Sequence, residues 1–181
     1  MRRIGQILRF LIPVIVLVAL VVFMTGAGRR ERATVEKNKA IVMRYGEEVW
    51  NKGDMAVVDE IIASNYIRHD DTLPEGAIRG RDAYKKYITA CRTAYPDFHC
   101  TATDVIAQGD KVVVRWADRG TFTGDPGWGI PPNGKEVAWE DLVIHRIAGG
   151  KIVEDWSFNQ DLSLFYQMGM KLVPAQAPAG K

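Results

Sequence analysis

Cysteine and histidine are scarce in this chain. Two cysteines and three histidines occur among 181 residues. Cys91 and Cys100 fall in different predicted elements, and their spacing fits neither a metal site nor a redox pair. They read as inert buried thiols, with a disulfide as the alternative. His69, His99 and His145 lack metal-ligand spacing, so no bound metal is expected. No stripe of lysine and arginine is present, which removes nucleic acid as a partner. No internal repeat occurs. The first 32 residues hold no cysteine, which excludes a lipoprotein.

What the chain does have is an uneven charge. Residues 1–32 hold six arginines and one glutamate, and residues 33–181 hold 18 Lys/Arg against 21 Asp/Glu. The basic part flanks an apolar segment. Phe10 to Gly28 is a 19-residue run without charge, at ~1.5 Å per residue nearly the ~30 Å of a bilayer core. Arg2, Arg3 and Arg9 precede it, and Arg29, Arg30 and Arg32 follow. Two fates fit: an uncleaved single-pass anchor, or a secretory signal cleaved near Thr25-Gly26-Ala27. The length of the run and the arginines that follow at once favour the anchor. Residues 1–32 are therefore read as a transmembrane anchor with a membrane location, 33–173 as one folded domain, and 174–181 as a disordered Pro/Ala tail.

Within the domain, Thr34 is expected to cap a helix running to about Trp50, with Ile41, Val42, Tyr45 and Val49 on one face. Asn51-Lys52-Gly53 ends it. Asp54 caps a second, short helix containing Val57, Val58, Ile61 and Ile62. Asn65 to Asp70 is a short strand running into a loop, and Leu73-Pro74-Glu75-Gly76 is turn sequence. Asp82 starts a third helix, which Pro96 stops. Long strands follow over about 98–107, 111–123 and 136–147. Between the last two lies a Gly/Pro-rich loop whose Trp128 and Ile130 read as a lid or a dimer contact. After Gly149-Gly150 comes a further strand, then a short helix from Leu162 to Met168. Helices first and an antiparallel meander afterwards make an α+β fold. A curved sheet wrapped around helices leaves a cavity with one mouth, where function is to be sought.

Gly149-Gly150 suits a two-residue hairpin turn. Beyond it Ile152, Glu154, Trp156 and Phe158 share one face of the strand, and Val153, Asp155 and Ser157 the other. A glutamate between isoleucine and tryptophan is costly to bury unpaired, so the first face is the candidate cavity wall. Regular pairing puts Ile147 opposite Ile152, His145 opposite Glu154 and Asp141 opposite Phe158; a slip of one residue reverses the faces. Asp141, His145, Glu154 and Trp156 then lie together, as a ligand site or as an ion pair closing the cone. Arg115 is either a partner for a buried carboxylate or a clamp on a ligand oxygen. His69 ends a strand at the expected cavity rim, and an imidazole is a side chain suited to proton transfer. Tyr45, Tyr66, Trp116, Trp139 and Trp156 read first as core, with cavity walls as a second role.

Several ordered pieces carry a family resemblance. They are Asn38-Lys39-Ala40-Ile41-Val42, Glu48-Val49-Trp50-Asn51-Lys52-Gly53-Asp54, Tyr66-Ile67-Arg68-His69-Asp70, Leu73-Pro74-Glu75-Gly76 and Ala94-Tyr95-Pro96-Asp97. Gly120-Thr121-Phe122-Thr123-Gly124, Gly129-Ile130-Pro131-Pro132-Asn133-Gly134-Lys135 and Gly150-Lys151-Ile152-Val153-Glu154-Asp155-Trp156 continue the set. Over roughly residues 36–170 the chain resembles SnoaL-like polyketide cyclases and the related ester cyclases. The resemblance implies a cone-shaped curved antiparallel sheet around helices, of the nuclear-transport-factor-2 type, in a homodimer. It also implies ring closure by intramolecular aldol chemistry without metal or cofactor. The family's acid/base aspartate lies just after the tryptophan of the last strand. Four residues after Trp156 stands Gln160, with Asp161 one further on. Gln160 keeps the parity of Glu154 and Trp156 and is expected to face the cavity; Asp161 faces it only if a bulge near Asn159 turns the strand.

Two functions follow as expectations. One is an enzyme acting on a small hydrophobic carbonyl compound by proton transfer α to the carbonyl, aldol closure or isomerisation. His69 or Asp161 is then the base, Arg115 and Gln160 polarise oxygen, and Tyr66, Asp141, His145, Glu154 and Trp156 line the ligand. The other is a non-catalytic module that binds an apolar ligand or a protein at the membrane. Fold alone decides between them in neither direction.

Overall fold

The computed structural model describes residues 26, 28–73, 75–125, 127, 129–171 and 173. The uncharged run from Phe10 and the tail 174–181 lie outside these, apart from Gly26 and Gly28, as does Trp128. Among the described residues no helix is long and apolar enough to cross a membrane. The chain divides into two units, Met1–Lys37 and Asn38–Lys181.

Helix α1 covers residues 28–44. Thr34 does not cap it. The hydroxyl donates back to the Arg30 carbonyl at 3.0 Å, a bond available to a threonine already inside a helix. No breaker stands between Arg29 and Thr34, so the helix starts earlier than the cap signal suggests.

In the second unit α1 widens into a π-helical turn, Tyr45–Asn51. Gly46 in that turn makes room for an indole: a Cβ there would lie 2.6 Å from Cζ3 of Trp116. Gly53, at φ 72°, ends the segment. Asp54 then caps α2, Met55–Ile61, accepting from the Ala56 and Val57 amides. Strand β1, Ile62–His69, follows at once, so Ile62 belongs to the strand and not to the helix. The turn sequence after it leads into a three-residue strand, β2, Ala77–Arg79. Helix α3, Arg81–Ala94, ends where Tyr95 turns extended (φ −128°, ψ 80°) ahead of Pro96. Strands β3 (His99–Gln108), β4 (Lys111–Thr121), β5 (Glu136–Ala148) and β6 (Lys151–Asn159) form the meander, and α4, Asp161–Gln167, follows.

The six strands make one curled sheet in the order β2-β1-β6-β5-β4-β3. It is not wholly antiparallel: β1 runs parallel to β6. A hairpin forces opposite directions only on strands it joins directly, and the long chain between β1 and β6 frees them from that rule. Helix α3 packs on β1, the π-helical turn on β3, and α4 on β5. The covered inner face carries Val112, Val114 and Trp116 of β4, and Val137, Val143 and Ile147 of β5, all buried.

The β5–β6 register overturns one expectation. Ile147 does pair with Ile152, but Arg146 pairs with Glu154, His145 with Asp155 and Ile144 with Trp156. The irregularity between Arg146 and Ile147 gives β6 one extra residue, Val153. Beyond a bulge every side chain changes face. Asp155 and Ser157 therefore point inward, and Glu154 and Trp156 outward.

Gly46→Ala is expected to destabilise the protein by roughly 1–3 kcal/mol, the usual cost of overpacking a filled core. Denaturant unfolding of the full chain measures this. An unchanged midpoint would mean that Trp116 moves aside freely.

Candidate functional site

Strand parity along β4 continues from Val112, Val114 and Trp116 to Asp118, which lands on the same inner face at 6% exposure. On β5, Asp141 pairs with Trp116, and Trp139 pairs with Asp118. The two aspartates are thus diagonal neighbours on one face, close enough for the charge of Asp141 to act on Asp118. The Oδ1 atoms of both are buried and have no hydrogen-bond partner among the described residues. Burial first, and then the negative charge of Asp141, holds Asp118 protonated well above the ordinary carboxyl range. Burial also raises Asp141, against the pull of Arg68.

A second group lies across the cavity. Arg68, buried on β1, reaches Asp70 Oδ2 at 3.3 Å and donates to Ser157 Oγ at 2.7 Å. Its guanidinium carbon sits 5.6 Å from the Tyr87 ring centre. Asp70 also accepts from the Thr72 amide and hydroxyl, at 3.1 and 2.6 Å, and from Asn159 at 3.3 Å. Asp161 opens α4 beside this group. Desolvation, with the Asp70 charge next, raises its carboxyl to about 6.

Asp118, Asp141, Asp161 and Arg68 line one cavity of ≈ 70 Å³ walled by aromatic rings, among them Trp50, Phe98, Trp116 and Trp139. That is less than the ~150 Å³ that holds a benzene ring, so a ring-sized ligand needs the wall to give. Leu164 and Asp161 form that wall on α4, a helix of seven residues.

A third polar group is wholly internal. Asp155 Oδ1 is 2.8 Å from His145 Nδ1, and Asp155 Oδ2 accepts from the Tyr66 hydroxyl at 2.7 Å. His145, Asp155 and Tyr66 are each 0% exposed. The Tyr45 and Tyr84 hydroxyls bond to each other nearby.

The structure sorts the residues anticipated from sequence. Asp141 and Asp161 line the cavity. His145 and Tyr66 are core residues tied to Asp155, not ligand contacts. His69 is on the outer face, since β1 parity turns Tyr66 and Arg68 inward. It lies 2.9 Å from Glu154 and stacks on Trp156 at 5.4 Å between ring centres. Glu154 is also bound by Arg146 at 2.7 Å, and Trp156 carries the Lys111 amine over its ring. Arg115 is exposed on the outer face and paired with Asp104 and Glu140. Gln160 does not face the cavity. The strand ends at Asn159, and Gln160 becomes the residue before α4, exposed and 3.4 Å from Glu140 Oε2. The turn into the helix carries Asp161 inward. Asp118, Arg68 and Asp70 were missed, although Asp118 was legible from the alternation Val112, Val114, Trp116.

Cys91 and Cys100 are free and buried. Burial pushes the Cys91 thiol up to about 11 and Cys100 higher still, which leaves both unreactive.

A curled sheet closed by helices over an aromatic, carboxyl-lined cavity is the architecture of the nuclear-transport-factor-2-like proteins. The sequence profile of SnoaL-like polyketide cyclases matches residues 40–168, and the chain belongs to that family. Among solved structures, IdmH of Streptomyces antibioticus, a proposed polyketide cyclase, is 27% identical, with 74% of this chain and 99% of IdmH covered at a TM-score of 0.63. A proposed SnoaL-like polyketide cyclase from Jannaschia sp. CCS1 is 22% identical, with 76% and 94% covered at 0.68. AclR of Streptomyces galilaeus, a proposed hydroxylase, is 21% identical, with 75% and 97% covered at 0.65. The last two bear on the fold alone. The search of curated proteins gives no match.

The raised Asp118 carboxyl has a consequence for stability. The folded state keeps a proton that the unfolded chain loses near pH 4, so it binds more protons over the range above that value. Stability from this group therefore falls as pH rises from about 4 through neutrality. Asp118→Asn, which cannot ionise, is expected to flatten that fall. At pH 8 its Tm is expected to exceed the wild-type value by about 2–4 °C for each 1 kcal/mol recovered. Thermal melts across pH check this; superimposable profiles would mean that Asp118 is ionised in the folded state.

Proposed function

We propose that the cavity performs cofactor-free acid/base chemistry on a small hydrophobic carbonyl compound, with Asp161 as the base that removes a proton α to the carbonyl. The observation that carries this reading is the position of Asp161. It is a carboxyl on the cavity wall, raised to about 6 by desolvation and by Asp70. That value is close enough to neutrality for a base that both gains and loses its proton readily. Family membership supports a cyclase or isomerase outcome, in which the carbanion adds to a second carbonyl or is reprotonated elsewhere. His69, with its ring on the outer face, is not retained as the base, and Arg115 and Gln160 are not retained as oxygen contacts.

A second reading, a ligand-binding or protein-interaction module without turnover, is favoured by the small cavity volume. Three further placements rest on narrower support. A membrane anchor in residues 1–32 rests on the sequence pattern. A homodimer rests on the family resemblance and on Leu142 and Phe158, cross-strand neighbours 41% and 57% exposed on the outer face. The absence of a cofactor rests on the resemblance alone.

The test is solvent-deuterium exchange into a panel of small β-keto esters and cyclic ketones, followed by NMR with the full chain. The wild type is expected to accelerate exchange at the α carbon, with the rate lost as pH falls below about 6, because the protonated acid accepts nothing. Asp161→Asn is expected to lose ~10²–10⁴-fold. Exchange that survives this substitution would remove Asp161 from the role.

A further inference from the structure

We propose that Nη1 of Arg68 is the contact for the substrate's carbonyl oxygen and for the enolate oxygen it becomes. A guanidinium carries five N–H donors, one on Nε and two on each terminal nitrogen. Asp70 Oδ2 takes Nε at 3.4 Å and Nη2 at 3.3 Å, and Ser157 Oγ takes Nη2 at 2.7 Å. Three donors are used in this way, and the two on Nη1 have no partner among the described residues. Nη1 is also not shut away, as the Oδ1 atoms of Asp118 and Asp141 are. Arg68 lines the cavity and is the one cationic side chain among the described residues that do so.

The guanidinium is held on three sides. Asp70 occupies one edge, Ser157 the tip, and the Tyr87 ring lies 5.6 Å from its carbon. Ser157 donates its own proton to Asn159 Oδ1 at 2.7 Å, so toward Arg68 it only accepts. A donor fixed in this way needs no rearrangement when charge develops in front of it. Two N–H groups of a cation call for an acceptor oxygen. A ligand ammonium is repelled, and a ligand carboxylate meets the acids of the same walls, so a neutral carbonyl fits the resting site. Asp161 lines the same cavity, and the charge of Arg68 acts on its carboxyl. When Asp161 takes the α proton, the C–H electron pair forms the C=C bond and the carbonyl pair moves onto oxygen. The bonds from Nη1 then become charge-assisted at both ends and strengthen. For this step the assignment rests on Asp161 as the base. The contact itself does not, and it is read by binding without turnover.

The experiment titrates the full chain at pH 8 with cyclohexanone labelled with 13C at the carbonyl, and with methylenecyclohexane, its hydrocarbon counterpart. At that pH Asp161, raised to about 6, is ionised and donates nothing. The carbonyl signal is expected to move downfield on binding, as a hydrogen-bonded carbonyl does. Arg68→Lys keeps a charge beside Asp70 but has no second terminal nitrogen. It is expected to lose the shift and to weaken cyclohexanone about tenfold or more, while methylenecyclohexane stays within about threefold of wild type. Arg68→Met combined with Asp70→Asn removes both charges of the pair together, so neither is left buried alone, and it is expected to behave in the same way. It also serves if the lysine variant does not fold. No uptake of cyclohexanone by the wild type, or uptake with an unmoved carbonyl signal, would overturn the proposal. So would a shift that survives in either folded variant, or a parallel loss of both probes in Arg68→Lys, which would mean that Arg68 only shapes the cavity. Proton exchange lost in Asp161→Asn with the carbonyl shift intact would leave this contact standing, and the reverse would leave Asp161 standing.

Discussion

Asp155 is a carboxylate with no exposure, and the inner face of the sheet is organised around it. A buried carboxylate is tolerated only when its oxygens are bound, and here Oδ1 meets His145 of β5 and Oδ2 meets Tyr66 of β1. One residue of β6 thus ties together the strands on either side of it. The arrangement requires the extra residue at Val153, because without it Glu154 would enter the core and Asp155 would face water.

The contrast with Asp118 and Asp141 separates structure from chemistry. Both sites bury carboxyls on the same sheet. At Asp155 both side-chain oxygens are partnered, and the group holds strands together. At the acid pair Asp118 Oδ1 and Asp141 Oδ1 are buried with no hydrogen-bond partner among the described residues, and burial raises both carboxyls. Arg68 links the two regions electrostatically: it lowers Asp141 and Asp161 while being held by Asp70.

Family membership fixes the architecture more firmly than the reaction. The neighbours of this fold include proposed cyclases and a proposed hydroxylase, so the same cone accommodates different chemistry and the side chains at the cavity have to decide. In this chain those side chains are acids, aromatic rings and one neutralised arginine, a set suited to moving protons in a small apolar space.

Local sequence determined the helices, the meander and its turns. The Asp54 cap, the Pro96 stop and the Gly149-Gly150 hairpin act within a few residues of themselves, and alternation along β4 fixed which of its residues face inward. It also carried the family resemblance, whose ordered motifs span the folded unit. Tertiary structure alone decided the rest. The bulge at Val153 depends on which of Glu154 and Asp155 finds buried partners, and those partners, His145 and Tyr66, lie on other strands. The parallel pairing of β1 with β6 joins segments far apart in the chain. The inward placement of Asp161 depends on the strand ending at Asn159, where the chain turns into α4 against β5. Period-2 reading extends a strand past its last paired residue, and only the packing of the next element shows where it stops.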